Sequence, residues 1–294
     1  MTIDLKKTRV VAWFLLILVS LIWGRSFILI KKGLDVFSPS EAGTIRIFVA
    51  CLVLIPFSIR AFPKVEKAKL PVLFFVAGAG SFIPALLFSF AQTHLESALA
   101  GAMNSFTPLF VLIIGSLFFD ARINMLSLIG ILIGFIGCLF IILGGAFFNL
   151  SGINYYAFYI LAATIMYGTN VNVIKTFLPK IKALHVTAIS FTLISPFCGL
   201  YLFWGTEFLS KTQAEGFWMA LLYLSILGAL NTALAMFIFN NLIKIASPIF
   251  ASSCTYLIPV VSIAWGLWDG EILNLYQFIG IAIVLTGVYL ANRK

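Results

Sequence analysis

Residues 21–34 read LIWGRSFILIKKGL, an apolar stretch with one arginine, Arg25, inside it and two lysines, Lys31 and Lys32, near its end. A charged side chain inside an apolar segment is costly in a lipid bilayer, so it indicates either a site or a side chain that reaches the interface. The aromatic residue, the glycine and the first lysine of this stretch recur later in the chain. That recurrence decides the fold that the sequence predicts.

The composition of the whole chain predicts a membrane protein. Of its 294 residues, 62% are hydrophobic and 10% are charged, and the mean hydropathy is +1.11. A soluble domain has too little core to bury so much apolar surface, whereas apolar stretches of about 20 residues cross a bilayer as helices. The first span is expected to be retained, because no small-residue cleavage site follows it. The sequence predicts ten spans, at residues 10–31, 41–60, 70–92, 97–119, 125–147, 154–175, 184–204, 216–240, 247–268 and 275–292.

The distribution of basic residues predicts the orientation in the membrane. Apart from the cations inside the spans, only Lys31, Lys32 and Lys211 fall on one side, and the other lysines and arginines fall on the side of the N-terminus. This is the positive-inside bias, so both termini are predicted to be cytoplasmic and the number of spans to be even. The net charge of +9 then follows from contact with an anionic inner membrane face, and no nucleic-acid partner is needed.

The stretch at residues 21–34 has a counterpart at residues 164–178, TIMYGTNVNVIKTFL. In one register an aromatic residue, a glycine and a lysine coincide, as the pairs Trp23 and Tyr167, Gly24 and Gly168, and Lys31 and Lys175. Further along, Pro108 in FTPLFVLIIG matches Pro259 in LIPVVSIAWG. The chain is therefore predicted to consist of two five-span repeats, residues 1–148 and 149–294. Because five is odd, the repeats are inverted in the membrane, an architecture associated with alternating access around a site between the halves.

These features resemble the EamA-type branch of the drug/metabolite transporter superfamily over nearly the whole chain. The resemblance rests on LIWGRSFILIKKGL, on the proline of the fourth span, and on a C-terminal pattern with Pro259, Glu271, Gln277, Gly280 and Gly287 in order. It implies an all-α integral membrane protein with ten transmembrane helices, and a carrier of the cytoplasmic membrane that usually exports small metabolites such as amino acids. Arg25 departs from the pattern, in which serine or alanine is usual, so the substrates of better-known members are not carried over.

The candidate site residues lie inside the spans, where polar groups must be satisfied within protein or in a wet cavity. For the paired glycines and lysines two interpretations stay open. Either the glycines permit helix contact and the lysines reach the interface, or the glycines open space for a ligand. For the prolines the alternatives are a packing kink and a flexible helix pair that gates the path. The predicted substrate path is formed by Trp23, Gly24, Arg25, Lys31, Arg46, Asn104, Pro108, Tyr167, Gly168, Asn170, Lys175, Tyr256 and Pro259.

The two arginines inside spans, Arg25 and Arg46, are predicted to lie at similar depth in the outer half of the membrane. Two cations at one depth favour an electropositive cavity suited to a carboxylate or another anion. The alternative is that each arginine pairs with Glu41 or Glu96 or extends to the interface.

Other residue types indicate scaffold rather than chemistry. The glycines of the fifth and tenth spans, among them Gly137 and Gly280, are spaced for close helix packing. The cysteines are scattered singly and are interpreted as small buried hydrophobes, and the two histidines form no pair. The sequence therefore predicts neither a metal site nor a cofactor.

Function is weighed between a secondary transporter of small metabolites and, as the alternative, an intramembrane enzyme acting on lipid-like substrates. The enzyme needs a nucleophile with its base or paired carboxylates inside the membrane, and the spans hold no such cluster. Every acid lies at a span end or in a loop, so transport is predicted to be exchange-type or driven by the substrate gradient, or to be coupled through an unusual group. The expected partners are a small-molecule substrate and the lipid bilayer, and the oligomeric state stays open between monomer and homodimer.

Overall fold

The computed structural model describes residues 5–120, 125–143, 154–245 and 254–292; within its helices the side chains of residues 5–9, 138, 142, 143, 240, 241, 243–245, 255, 256, 288, 291 and 292 are not described. Throughout these ranges all regular structure is helical, which confirms the predicted all-α class.

The helices follow one another with short connections. Two π-helical segments continue helices without ending them: the first π segment, Gly78–Phe82, joins α4 to α5, and the second π segment, Leu227–Leu234, joins α11 to α12. In chain order the α-helices are α1 (Leu5–Gly24), α2 (Ser26–Leu34), α3 (Pro39–Ala61), α4 (Leu70–Ala77), α5 (Ile83–Ala91), α6 (Ser97–Asn104), α7 (Thr107–Phe118), α8 (Met125–Leu143), α9 (Ala157–Phe177), α10 (Ala183–Trp204), α11 (Phe217–Ile226), α12 (Ala235–Ile245), α13 (Cys254–Trp268) and α14 (Leu275–Asn292).

By length and composition, 7 helical segments of the described chain are long and apolar enough to cross a membrane. Each corresponds to a predicted span, and three shorter apolar helices, within α8, α13 and α14, overlap further predicted spans. The total of ten spans and the inverted arrangement of the halves stay predictions. The long segments are Val10–Leu34, Pro39–Lys64, Lys67–Ala91, Ser97–Phe118, Ala157–Phe177, Ala183–Trp204 and Phe217–Phe239.

The outside of the helix bundle is apolar. Trp204 is 79% exposed, Trp218 is 72% exposed and Phe118 is 75% exposed. Monomeric soluble proteins rarely expose large contiguous apolar surface. A surface of this kind is compatible with lipid as the surrounding medium, so the chain is a multi-pass membrane protein.

Two ends of the bundle can be distinguished by the residues that meet there. At the first, called the Lys31 end, the end of α2 meets the segment after α13, and the start of α3 meets the segment after α10. At the opposite end, called the Lys175 end, the end of α3 packs with α4, α9 and α10 through a buried apolar cluster that includes Ala61, Leu73 and Val186. A substrate path between the two ends would run along the helices.

The start of α3 is set by its local sequence, SPSE. Ser38 accepts a hydrogen bond from the backbone N–H of Glu41, and Glu41 Oε2 accepts one of 2.8 Å from the backbone N–H of Ser38. Pro39 occupies the first helical turn, where its missing N–H costs nothing. This capping box satisfies N–H groups that the helix itself leaves free, and it holds Glu41 at the Lys31 end.

Helices α8 and α14 pack closely through glycines, as their spacing predicts. A Cβ atom added at Gly137 would come within 2.6 Å of the backbone nitrogen of Val284, and one at Gly280 would come within 2.9 Å of the Gly137 carbonyl oxygen. A Cβ atom at Gly287 would meet the backbone of Gly130 and Gly134. Only glycine permits this approach, so the two helices form a scaffold rather than a path.

We expect Gly287→Ala to lower the free energy of unfolding by about 1–3 kcal/mol, because the added methyl group meets backbone that has no free rotamer to move into. Gly78→Ala is the matched control. A Cβ atom at Gly78 has no neighbour within 4 Å, so this change is expected to be neutral or slightly stabilising. Thermal unfolding of the purified proteins in one detergent compares the two. Equal melting temperatures would contradict the close packing of α8 on α14.

Candidate functional site

A polar cluster lies at the junction of α1, α2 and the second π segment. The indole Nε1 of Trp23 donates a hydrogen bond of 2.8 Å to the carbonyl oxygen of Asn231. The side-chain Nδ2 of Asn231 donates to Ser26 Oγ at 2.9 Å and to the carbonyl oxygen of Ile22. Asn231 is fully buried, and among the described residues its Oδ1 has no hydrogen-bond partner. The cluster therefore contains a buried acceptor that is not satisfied.

Arg46 extends this cluster to α3. Its Nε donates a hydrogen bond of 3.1 Å to Thr232 Oγ1, and Thr232 donates in turn to the carbonyl oxygen of Leu227 at 3.1 Å. The backbone of Arg46 packs against Gly228, where a side chain would collide with it. Arg46 thus joins α3 to the second π segment.

Aromatic rings line the region beside these polar groups. Tyr167 stacks on Phe88 with ring centroids 6.2 Å apart, and Phe88 contacts Phe27 at 5.8 Å. Phe27 follows Trp23 by one helical turn, so both face the same side, and Trp23 contacts Phe239 at 5.0 Å. Trp23 and Tyr167 are half-buried. The arrangement combines a few fixed polar groups with an aromatic wall, as small-molecule sites do.

The two matched glycines admit neighbouring helices. A Cβ atom at Gly24 would collide with Val261 on α13, and one at Gly168 would come within 2.8 Å of the Phe110 backbone on α7. The volume in front of both glycines is therefore filled by protein. Of the two interpretations open for them, the structure favours helix contact over space for a ligand.

Lys31 is the centre of an ion cluster at the Lys31 end, called the lysine cluster. Its Nζ lies 2.9 Å from Glu271 Oε1, 3.0 Å from Asp269 Oδ2 and 3.6 Å from Glu96 Oε2. Lys32 lies 2.7 Å from Asp269 Oδ1. The lysine cluster joins α2 to the segment between α13 and α14 and to the residue that precedes α6. Lys31 is thus held by acids rather than extended to an interface.

Glu271 also caps α6. Its carboxylate accepts hydrogen bonds from the backbone N–H of Ser97 at 3.0 Å, from Ser97 Oγ at 2.7 Å and from the backbone N–H of Ala98 at 3.0 Å. These N–H groups are among those that a helix leaves unsatisfied at its start, where the helix dipole also favours an anion. One carboxylate therefore satisfies a helix terminus and a lysine together.

The acids of the lysine cluster have opposite pKa shifts. Burial alone would raise the pKa of Glu271, but hydrogen bonds from the Ala98 and Ser97 N–H groups and from Lys31 lower it below its usual value. The pKa of Asp269 is lowered as well, since the bonds from Lys32 and Lys31 outweigh burial. The pKa of Glu96 is raised by burial and by the neighbouring charge of Glu271. Glu271 and Asp269 are therefore held as anions, whereas the ionised form of Glu96 is disfavoured.

Neither arginine pairs with Glu41 or Glu96, which was one of the alternatives left open for them. Glu41 pairs with Lys211 at 2.6 Å, and Glu96 belongs to the lysine cluster. Among the described acids none forms an ion pair with Arg25 or Arg46. The carboxylate of Glu41 is occupied by the capping box of α3 and by Lys211.

Arg25 and Arg46 differ in their surroundings. Arg25 lies between α1 and α2, and its Nε is buried without a hydrogen-bond partner among the described residues. Arg46 is anchored to Thr232. No hydrogen bond or shared acid joins the two within the described structure, so a single cavity that contains both arginines stays a prediction.

The remaining predicted residues are dispersed. At Pro108 the helix is interrupted: α6 ends at Asn104, α7 begins at Thr107, and Thr107 Oγ1 donates to the Asn104 carbonyl oxygen at 2.9 Å. Pro259 is buried inside the continuous α13, so the two prolines are not equivalent. The Tyr256 side chain lies outside the described residues.

Asn170 and Lys175 lie on α9 at different depths. Asn170 packs against Gly80 in the first π segment, and its Oδ1 is buried without a partner among the described residues. Lys175 is exposed near the Lys175 end. The structure brings Asn170, but not Lys175, next to a π segment, a feature that is frequent at functional sites.

The predicted path does not include Asn231 and Thr232. Their signal is a pair of adjacent polar residues in LGALNTAL, an otherwise apolar segment. The segment is π-helical, which turns both side chains toward the first half of the chain, to Ser26 and to Arg46. Helical periodicity alone does not predict this.

Comparisons with known proteins point in one direction. The sequence model of the EamA-like transporter family matches residues 11–143 and 154–293. The uncharacterized transporter YvbV of Bacillus subtilis is 25% identical over 99% of this chain and 94% of its own length. The uncharacterized inner membrane transporter YedA of Escherichia coli K12 is 24% identical, over 92% of this chain and 87% of its own.

Two further comparisons concern a named activity and the fold. A probable terminal-alkyne amino-acid exporter of Streptantibioticus cattleyicolor is 22% identical over 95% of this chain and 92% of its own length. A protein of known crystal structure superimposes with a TM-score of 0.60 at 16% identity, over 95% of this chain and 96% of that one. The latter likeness concerns the fold alone.

Proposed function

The chain belongs to the EamA-like transporter family, and from this premise we propose that it is a secondary transporter that exports or exchanges small metabolites across the cell membrane by alternating access. The observation that carries the proposal is the polar cluster between the halves of the chain. Trp23 and Arg46 come from the first half, and Asn231 and Thr232 come from the second. A site at such a junction changes its exposure when the halves move against each other.

The proposed architecture is ten transmembrane helices in two inverted repeats, residues 1–148 and 149–294, with both termini cytoplasmic. Several features support it. The family model matches the chain in two separate stretches, and the π segments occur in the third and the eighth of the predicted spans. In this orientation the Lys31 end is the outer end of the bundle and the Lys175 end is the inner one.

The proposed substrates are small polar or amphipathic compounds, including those like amino acids. The aromatic wall beside Trp23 and Tyr167 suits an apolar portion, and the polar groups of Arg46 and Asn231 suit a polar one. One relative is named as a probable amino-acid exporter, which supports this range. That Trp23, Tyr167, Arg46 and Asn231 contact the substrate is part of this proposal.

The lysine cluster is proposed as the outer gate. Lys31 joins parts of both halves, because Glu271 belongs to the second. The register that superimposes Pro108 on Pro259 also superimposes Asp120 on Glu271, and Lys175 corresponds to Lys31. In the described structure Asp120 and Lys175 are exposed and form no ion pair with each other. We infer that the outer pair is closed in this conformation and that the inner pair closes in the alternate one.

Exchange-type or gradient-driven transport fits the placement of the acids. Glu41 and Glu271 are the buried acids among the described residues, and each is held in an ion pair at the Lys31 end. A proton-coupled carrier usually places a carboxylate where both sides can reach it in turn. Counterflow without a pH gradient should therefore reach the same rate as with one.

A ligand screen followed by counterflow tests the proposal. Purified protein is heated with a library of small metabolites, and each stabilising compound is then measured for exchange in proteoliposomes. A carrier gives saturable accumulation of labelled compound that requires unlabelled compound inside. Stabilisation with chemical conversion of the compound, and no exchange, would support the intramembrane enzyme instead.

A further inference from the structure

We propose that Arg46 binds the carboxylate of the transported compound, so that the site selects amphipathic anions or zwitterions with a carboxylate over neutral analogues of the same shape. The inference rests on the proposed transport function and deepens it by naming the substrate class. It assigns a specificity role to Arg46, with Thr232 as the residue that orients it.

The first step is charge. Arg46 lies seven residues after the start of α3, about 10 Å into the helix. No described acid pairs with it, in contrast to Lys31, Lys32 and Lys211, which all have acids at the Lys31 end. An unpaired cation at such depth is costly, and an anionic ligand would lower that cost. Without an anionic ligand, the positive charge of Arg46 is therefore not balanced by a described side chain.

The second step is geometry. Thr232 Oγ1 accepts from Nε of Arg46, so one corner of the guanidinium is fixed to a buried hydroxyl. Arginine presents its donors in a rigid planar fork that binds a carboxylate by two parallel hydrogen bonds. With Nε committed to Thr232, the edge formed by the two terminal nitrogens is the one suited to the ligand. Arg46 as a whole residue is half-buried.

The third step is the surroundings. Tyr167 stacks on Phe88, which in turn contacts Phe27. An apolar chain attached to the carboxylate would lie against these rings. The buried Oδ1 of Asn231, next to Thr232 in the chain, has no partner among the described residues. This second unsatisfied group independently indicates a polar ligand in the same region.

Two matched pairs of probes test the charge alone: hexanoate against hexanamide, and L-norleucine against L-norleucinamide. Binding is measured by isothermal calorimetry on the full-length protein in nanodiscs at pH 7. We expect at least one acid to bind tenfold or more tightly than its amide. In Arg46→Gln we expect the ratio of the Kd of the amide to the Kd of the acid to fall to about one, and in Arg46→Lys to an intermediate value.

Arg60→Gln is the matched control, since it removes the same charge from an exposed position in the last turn of the same helix, and it is expected to keep the preference for the acid. Arg25→Gln tests the other arginine of the predicted path. Thr232→Val removes only the hydroxyl that orients Arg46, and is expected to reduce the ratio in part. All variants are compared by their melting temperatures, so that a misfolded protein is recognised as such.

The inference is overturned if neither acid binds saturably, if each amide binds as well as its acid, or if Arg25→Gln rather than Arg46→Gln removes the preference. These outcomes are distinct from failure of the transport proposal. Saturable counterflow of neutral or cationic compounds alone would support the transport proposal and contradict the carboxylate site. Binding of the acids without exchange would support the carboxylate site and contradict the transport proposal.

Discussion

Replacing Glu271 with glutamine is expected to destabilise the protein by about 3 kcal/mol, which is the size of the effect found when one partner of a buried ion pair is removed. The Glu271 side chain is 0% exposed and accepts four hydrogen bonds, from Lys31, from the Ser97 N–H and hydroxyl groups, and from the Ala98 N–H. Glutamine keeps the shape but loses the charge, and its amide nitrogen cannot accept. Lys31 then loses its closest acid, and the start of α6 loses part of its cap.

Glu96→Gln is the control for Glu271→Gln, because it removes the same charge from the same cluster. Its carboxylate lies 3.6 Å from Lys31 and is 45% exposed, and the charge of Glu271 disfavours its ionised form. We expect this change to be within about 1 kcal/mol of the parent protein, or stabilising. Thermal unfolding in detergent at pH 7 separates the two variants. If Glu96→Gln is the more damaging change, the assignment of Glu271 as the helix cap is wrong.

The effect of Glu271→Gln should also depend on pH in a defined direction. The pKa of Glu271 is lower in the folded protein than its ordinary value of 4.5. A group whose folded pKa is depressed stabilises the protein above the unfolded pKa, and that stabilisation is lost as the pH falls through the folded pKa. The difference in melting temperature between parent and variant should therefore be constant from pH 8 to about pH 5 and shrink below it. A difference that grows as the medium becomes more acidic would contradict the shift.

Much of the fold is predictable because its signals are local. Apolar length and the glycine spacing of α8 and α14 each depend on a short stretch of sequence, and the helices lie on the predicted spans. The contact of Gly24 with Val261 shows the limit of such reasoning. A glycine on a helix face indicates that something approaches closely, but whether that is a helix or a ligand depends on the partner element.

The site was less predictable because its partners are far apart in the chain. Lys31 and Glu271 are separated by 240 residues, and the sequence flags each of them without indicating that they meet. For Arg46, pairing with Glu41 was one open alternative, yet Glu41 is held in the capping box of α3 and pairs with Lys211. The second π segment, which presents Thr232 to Arg46, has no periodicity that distinguishes it from an α-helix.

Neutralising Lys31 is expected to open the Lys31 end of the bundle, which is the outer end in the proposed orientation. In Lys31→Gln the acids Glu271, Asp269 and Glu96 lose their common cation and repel one another. The measurement uses Ser26→Cys as a reporter, because Ser26 is buried, lies on the same helix as Lys31 and accepts a hydrogen bond from Asn231 in the polar cluster. Labelling of intact cells by a membrane-impermeant maleimide should be roughly tenfold faster in Ser26→Cys/Lys31→Gln than in Ser26→Cys alone, which corresponds to about 1.4 kcal/mol of the opening equilibrium.

Lys32→Gln is the control for the labelling of Lys31→Gln. Lys32 is the next residue and carries the same charge, but its acid is Asp269 alone, which Lys31 also holds. Losing Lys32 leaves the bond between Lys31 and Glu271 in place, so the reporter thiol should stay protected. Equal acceleration in both variants would show that total charge at the outer end, rather than the Lys31–Glu271 bond, keeps it closed. If labelling is not faster in Lys31→Gln, the lysine cluster is not the gate. A gate held closed by the Lys31–Glu271 bond must open when that bond is lost.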